Sequence, residues 1–147
     1  MSARTASNRD IPVILGLLYD LGRPRPKEDK EVDIFRKMVK KYIADDDKQI
    51  LVAALDEIKL VGMAAVMFLP RLNRTTTELY IPELIVSENY RGRGAGRMLI
   101  KECIRIANKK KCHRIRLESG NSRGESHKFY SDAGFEQSAL SFTMSIK

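Results

Sequence analysis

The chain has 147 residues, with 27 Lys or Arg against 19 Asp or Glu and a formal net charge of +8. That length suits a single domain over residues 1–147, able to bury roughly 70% of the surface its unfolded form exposes. A run of about 18 apolar residues is lacking, and Met1-Ser2-Ala3-Arg4-Thr5 has no apolar signal-peptide region, so a membrane span is excluded and a soluble, cytoplasmic protein is expected.

In chain order, Ala3 to Thr5 reads as a short first strand. Ser7 or Asn8 can cap a helix starting near Asp10-Ile11-Pro12, in which Ile11, Ile14, Leu15, Leu18 and Leu21 recur at helical intervals until Gly22. Arg23-Pro24-Arg25-Pro26 is an extended linker, because each proline pushes its predecessor out of the α region. A second amphipathic helix runs from Lys30 to about Ile43, with Val32, Phe35, Val39 and Ile43 on its inner face, and Asp45-Asp46-Asp47 forms an acidic loop. Ile50 to Leu55 and Leu60 to Leu69 read as a hairpin joined by Asp56-Glu57-Ile58-Lys59. Thr76 to Val86 is a third long strand with Pro82 inside it; proline removes a ladder donor, so a bulge is expected there. A helix over Gly94 to Lys110, a strand over Arg114 to Glu118, a loop at Gly120-Asn121-Ser122, a helix over Glu125 to Asp132 and a terminal strand over Ser141 to Ile146 complete the order. Hairpin-linked strands early and crossover-linked strands late make this an α+β domain around one mixed sheet. Cys103 and Cys112 lack C-x-x-C spacing and are expected to be reduced, with Cys103 on an apolar helix face.

The chemistry concentrates where Leu84-Ile85-Val86 ends and Arg91-Gly92-Arg93-Gly94-Ala95-Gly96-Arg97 opens onto Met98, Leu99, Cys103, Ile104, Ile106 and Ala107 at helical spacing. Three glycines let a ligand approach the backbone, and the N–H groups of the first helical turn can point at a phosphate with the positive helix end behind them. The pattern argues for a bound pyrophosphate. A Walker A loop would need Gly-Lys-Ser/Thr where this chain has Gly96-Arg97-Met98, and glycines at 92, 94 and 96 do not fit G-x-G-x-x-G.

Arg91-Gly92-Arg93-Gly94-Ala95-Gly96 resembles the coenzyme A signature of the GNAT acetyltransferases, [Q/R]-x-x-G-x-[G/A]. Downstream, Arg123 to Phe135, with Phe129-Tyr130, three residues and Gly134-Phe135, resembles the last motif of the same superfamily. The resemblance implies a three-layer α/β/α domain with one mixed, mostly antiparallel central sheet and acetyl-CoA as acetyl donor. In that fold the fourth and fifth strands splay apart and pantetheine lies in the gap like an added strand. Leu84, Ile85 and Val86 would then lend main-chain bonds to pantetheine, and Arg91, Gly92, Arg93, Gly94, Ala95, Gly96 and Arg97 would hold the pyrophosphate.

Acetyl transfer to an amine needs a base for the ammonium and an acid for the departing thiolate. The family places a tyrosine beside the coenzyme sulfur at the position of Tyr130, and a phenol is protonated at neutral pH. For the base, Glu83 at the end of the fourth strand and Glu118 before the last helix both remain open, with Glu83 preferred. Many relatives carry Asn and Ala where this chain has Arg123 and Ser126, so the asparagine bond to pantetheine is in doubt; Arg123 would meet coenzyme phosphate or stay solvated. This Arg-x-x-Ser-His-x-Phe-Tyr form is similar to the branch containing aminoalkylphosphonate N-acetyltransferases. His127 reads as a helix-surface residue.

The resemblance thus implies an N-acetyltransferase acting on a primary amine of a small molecule by direct attack in a ternary complex, without a metal. Protein or peptide acetylation and a non-catalytic acyl-CoA-binding module are the alternatives. Tyr19, Phe35, Tyr42, Asp45, Asp46 and Asp47 would line the acceptor side. The excess positive charge fits a small polyanion such as coenzyme A better than nucleic acid, because basic residues are scattered and no aromatic-interleaved basic face accompanies them. Edge-strand pairing into a homodimer is open to a chain of this kind.

Overall fold

The computed structural model describes residues 1–20, 25–119 and 124–146. The expected end of the first helix at Gly22, the linker from Arg23, the loop at Gly120-Asn121-Ser122 and Arg123 lie outside those residues or only partly within them. The chain forms two compact units, Met1–Arg116 and Leu117–Lys147. Its elements run β1 (Ser2–Thr5), α1 (Ile11–Asp20), α2 (Asp29–Ala44), β2 (Lys48–Leu55), β3 (Lys59–Pro70), β4 (Thr77–Val86), α3 (Ala95–Lys109), β5 (Ile115–Leu117) and α4 (Gly124–Asp132).

The five strands form one sheet in sequence order. β1 to β4 pair antiparallel, with Ala3 opposite Ala53, Leu51 opposite Ala64 and Met63 opposite Ile85. The segment leading into β5 meets β4 through His113 N–H to Thr77 C=O (3.0 Å) and Leu79 N–H to Arg114 C=O (3.0 Å), contacts that climb both strands together, as in a parallel pair. The sheet is therefore mixed and mostly antiparallel, as the sequence indicated.

Residues 50–54 of β2 are all buried, which requires cover on both faces of the sheet. On one face Ile50, Val52, Met63, Ala65 and Ile85 pack with Ile14 and Leu17 of α1, and Val39, Tyr42 and Ile43 of α2 close over them. α3 covers the other face with Leu99, Ile100, Cys103, Ile106 and Ala107. Gly62 marks its close approach: a Cβ there would meet Ile85 C=O at 3.0 Å and Leu99 Cδ1 at 3.4 Å. Burial pushes the Cys103 thiol up to about 12, so it behaves as a small apolar side chain.

The bulge expected at Pro82 is present. Ala65 pairs with Glu83 and Met67 with Tyr80, so Val66 alone opposes both Ile81 and Pro82. The extra residue resets the side-chain alternation. Glu78 and Tyr80 before the bulge therefore share a face with Glu83 and Ile85 after it, the face covered by α1 and α2.

Two charged anchors hold the first unit together. Buried Asp10 accepts Arg4 Nη1 at 2.8 Å, Arg4 Nη2 at 3.0 Å and the Ser7 N–H at 2.8 Å, tying β1 to the start of α1. Glu78 is fully buried and accepts Arg114 Nε at 2.6 Å and Arg116 Nε at 3.1 Å, while the Arg116 guanidinium lies 4.4 Å from the Tyr80 ring centroid. These contacts fasten residues 114–116 to the first half of β4.

The terminal strand expected over Ser141 to Ile146 is corrected. Residues 135–146 form no helix or strand, and Leu140, Phe142, Met144 and Ile146 are 74–89% exposed. Period-two alternation describes a face, but a strand exists only through a ladder partner, and the alternation does not supply one.

Burial raises the Glu78 carboxyl pKa, and the bonds from Arg114 and Arg116 more than reverse it, leaving the group below its ordinary value. A carboxyl depressed in the folded state contributes stability that is present above its unfolded pKa and lost as pH falls through the folded one. Glu78→Gln should therefore lower stability at pH 7 by about 2–3 kcal/mol, less than for a fully enclosed pair because both arginines are partly exposed. Denaturant titrations should show the gap between wild type and variant closing below about pH 4.

Candidate active site

β4 ends with a polarity that planar peptides dictate. The Ser87 N–H bonds Val61 C=O at 2.8 Å and Ile85 C=O faces Gly62, so both point at β3. Across trans peptides the Val86 C=O and N–H must point the opposite way. Antiparallel alternation gives Leu84 the same orientation. Leu84 and Val86 thus turn their main-chain groups to the β4 edge away from β3, whereas Ile85 spends its own on β3. Two bonds from the segment leading into β5 fall at Thr77 and Leu79, before the bulge. Beyond the bulge, the edge can take an extended ligand as an added strand. Arg91 Nε reaches the Val86 C=O at 3.4 Å from the loop that follows.

That loop is built for close approach. Glu88–Tyr90 make one 3₁₀ turn, then Gly92 and Gly94 take φ of 77° and 91°, where a side chain would strain the backbone. Nothing lies within 4 Å of a Cβ built at either, so the left-handed backbone, and not crowding, requires glycine. Gly94 is the N-cap of α3 and supplies no capping side chain. The first helical bond runs from Met98 N–H to Gly94 C=O (3.0 Å), so the N–H groups of Ala95, Gly96 and Arg97 precede any i→i−4 partner. With Arg91, Arg93 and Arg97 exposed around them, these donors fit a diphosphate.

Glu83 is half-buried on the α1/α2 face, where its charge reaches Tyr42. Burial, then Asp45 and Glu83, push the Tyr42 phenol above its ordinary value, so it stays protonated and donates to Val66 C=O at 2.9 Å. That bond joins α2 to the residue of β3 that faces the bulge. Asp45 is engaged by Lys48 Nζ at 3.6 Å and by the Asp47 N–H at 2.8 Å. The Tyr19 hydroxyl is buried without a hydrogen-bond partner among the described residues.

The second unit carries the other expected residues. α4 ends where Gly134, at φ 101°, turns the chain back so that Phe135 N–H bonds Tyr130 C=O at 2.9 Å. The Tyr130 ring, half-buried, meets Phe129 and Phe135 edge-on at 5.3 and 5.8 Å between centroids. The Gly-Phe ending of the motif is thus a helix stop that packs its aromatic on the tyrosine. Ser126 is half-buried and His127 exposed on α4; exposed Glu118 accepts Ser141 Oγ at 3.3 Å. Lys59 and Tyr90, which sequence reasoning did not single out, stand beside the glycine loop through a cation–π contact.

Against this geometry, the model of the acetyltransferase (GNAT) family matches residues 15–135. The chain belongs to the GNAT acetyltransferase family. Over 78 residues this GNAT chain is 32% identical to the glucosamine 6-phosphate N-acetyltransferase of Trypanosoma brucei brucei, a match covering 52% of this chain and 51% of that protein, so it spans about half the length of that relative. It is similar, with a TM-score of 0.87 and 28% identity over 99% of each chain, to a transcriptional regulator from Bacillus halodurans C-125. An aminoglycoside acetyltransferase from an uncultured soil metagenomic sample, solved with sisomicin, shares the fold at a TM-score of 0.82 with 17% identity, over 99% of this chain and 96% of that one.

Gly94→Ala should cost about 1 kcal/mol in a denaturant titration, since the left-handed backbone and not a contact forbids the side chain. Gly94→Asn should recover part of the loss, because asparagine tolerates that conformation.

Proposed function

We propose that this GNAT chain is an acetyl-CoA-dependent N-acetyltransferase that acetylates a primary amine of a small molecule by direct attack in a ternary complex. The observation that carries the reading is the passage from the outward main chain of Leu84 and Val86, beyond the bulge, to the glycine loop and the N–H groups of Ala95, Gly96 and Arg97 that precede the first i→i−4 bond of α3. Pantetheine would pair with the outward groups of Leu84 and Val86, and the diphosphate would sit on the helix N-terminus. Ile85, whose main chain serves β3, would contribute a buried side chain instead.

Glu83 is the preferred base. It stands on the side that α1 and α2 would offer the acceptor and would take the ammonium proton directly or through water. Tyr130 would give its proton to the thiolate as the C–N bond forms and the C–S bond breaks. Glu118 is the alternative base, and peptide acetylation is the outcome it would favour.

For the acceptor, the glucosamine 6-phosphate in the partial relative's name and the Arg-x-x-Ser-His-x-Phe-Tyr likeness to aminoalkylphosphonate N-acetyltransferases support one chemistry, a primary amine on a small molecule bearing phosphate or phosphonate. Partly buried Glu83 and the acids near Tyr42 suit the ammonium end.

Thiol release from acetyl-CoA should be measured with glucosamine 6-phosphate, aminoalkylphosphonates, polyamines, aminoglycosides and peptide N-termini. Turnover on the phosphorylated or phosphonylated amines is expected, and no turnover on any acceptor would leave a coenzyme-binding module. Tyr130→Phe should reduce kcat by about 100-fold with coenzyme affinity unchanged, and Glu83→Gln should fall further than Glu118→Gln.

A further inference from the structure

Tyr90 gathers two cations on one ring. Lys59 Nζ, from the first residue of β3, lies 4.8 Å from its centroid, and the Arg93 guanidinium carbon, from the glycine loop, lies 5.3 Å away. They come from segments more than thirty positions apart, and the ring that joins them is set by the 3₁₀ turn after β4, whose Tyr90 N–H bonds Ser87 C=O at 2.9 Å. Both cations are exposed. Among the described residues neither has a carboxylate within ion-pair distance, in contrast to Arg4, Arg105, Arg114 and Arg116.

Two like charges on one ring repel, and a cation–π contact at an exposed site returns only about 0.5–1 kcal/mol each. An anion placed between or beside them removes the repulsion. Its charge can be read from the count of cations: a phosphate monoester carries close to two negative charges at neutral pH, whereas each phosphoryl of a diphosphate linkage carries about one. The diphosphate has donors enough in the α3 N-terminus and in Arg91 and Arg97, so Arg93, which the motif groups with them, is left for a second phosphate by its contact with Tyr90.

We propose that Lys59 and Arg93, held by Tyr90, form a recognition site for a phosphate monoester, the 3′-phosphate on the ribose of coenzyme A. This rests on the coenzyme reading above and assigns to the β2–β3 hairpin a part in selecting the donor. Lys59 supplies a mobile point charge and Arg93 a planar fork, an arrangement suited to a tetrahedral dianion.

The test is titration calorimetry of the full chain with coenzyme A and with 3′-dephospho-coenzyme A. Wild type should bind coenzyme A about tenfold more tightly, the scale of one exposed charge-assisted contact. Lys59→Gln should weaken coenzyme A by about that factor, leave the dephospho form within about twofold, and leave the thermal midpoint in place, since Lys59 is exposed. Lys59→Arg should retain the preference. Equal weakening toward both ligands would assign Lys59 to the diphosphate and overturn the proposal, as would no weakening toward either. Wild-type protein that binds neither ligand at millimolar concentration would remove the coenzyme reading itself, and the proposal with it. Binding of both with equal affinity would remove the proposal and leave that reading intact.

Discussion

The structure of the first unit depends on how β4 divides its two edges. Along β3 it is paired from Thr77 to Val86, interrupted once where Ile81 and Pro82 together face Val66. Proline has no N–H to give a ladder, so the extra residue falls where pairing is weakest. Before the bulge, the outer edge is occupied by the segment leading to β5, fastened through buried Glu78 to Arg114 and Arg116. After it, Leu84 and Val86 direct their main chain at that edge beyond the contacts at Thr77 and Leu79. One strand thus anchors the β5 segment with its first half and turns the main chain of Leu84 and Val86 away from β3 with its second.

The bulge also decides which chemistry faces the helices. A strand of uniform alternation would set Glu83 and Glu78 on opposite faces, because they are five residues apart. With one extra residue they share the face covered by α1 and α2. Glu78 is there bonded by the guanidinium groups of Arg114 and Arg116, with that of Arg71 3.9 Å away, while Glu83 stands near Tyr42, whose phenol is fixed to Val66 C=O. The same local irregularity turns the Glu83 carboxylate toward the face covered by α1 and α2.

Charge is distributed with the same economy. Arg4, Arg105, Arg114 and Arg116 are matched by Asp10, Glu102 and Glu78. Arg91, Arg93 and Arg97, by contrast, flank in sequence a helix N-terminus whose N–H groups add to the same positive field. The net charge of +8 therefore has a local meaning that its total does not convey. Membership of the GNAT family accounts for the loop.

What could be read from the sequence was what depends on local chemistry. Glycines at 92 and 94 announced backbone that most other residues adopt only with strain, Pro82 announced a break in a ladder, and helical spacing after Gly94 announced α3, since each follows from one residue type or one period. Period two failed at Ser141 to Ile146 because alternation names a face and says nothing of a neighbour. Which main-chain groups of Leu84, Ile85 and Val86 point outward, which face Glu83 takes, and that Lys59 meets Arg93 on Tyr90 were decided by tertiary structure alone. Each depends on the register of two strands or on a contact between residues far apart in the chain, and no single segment carries that information.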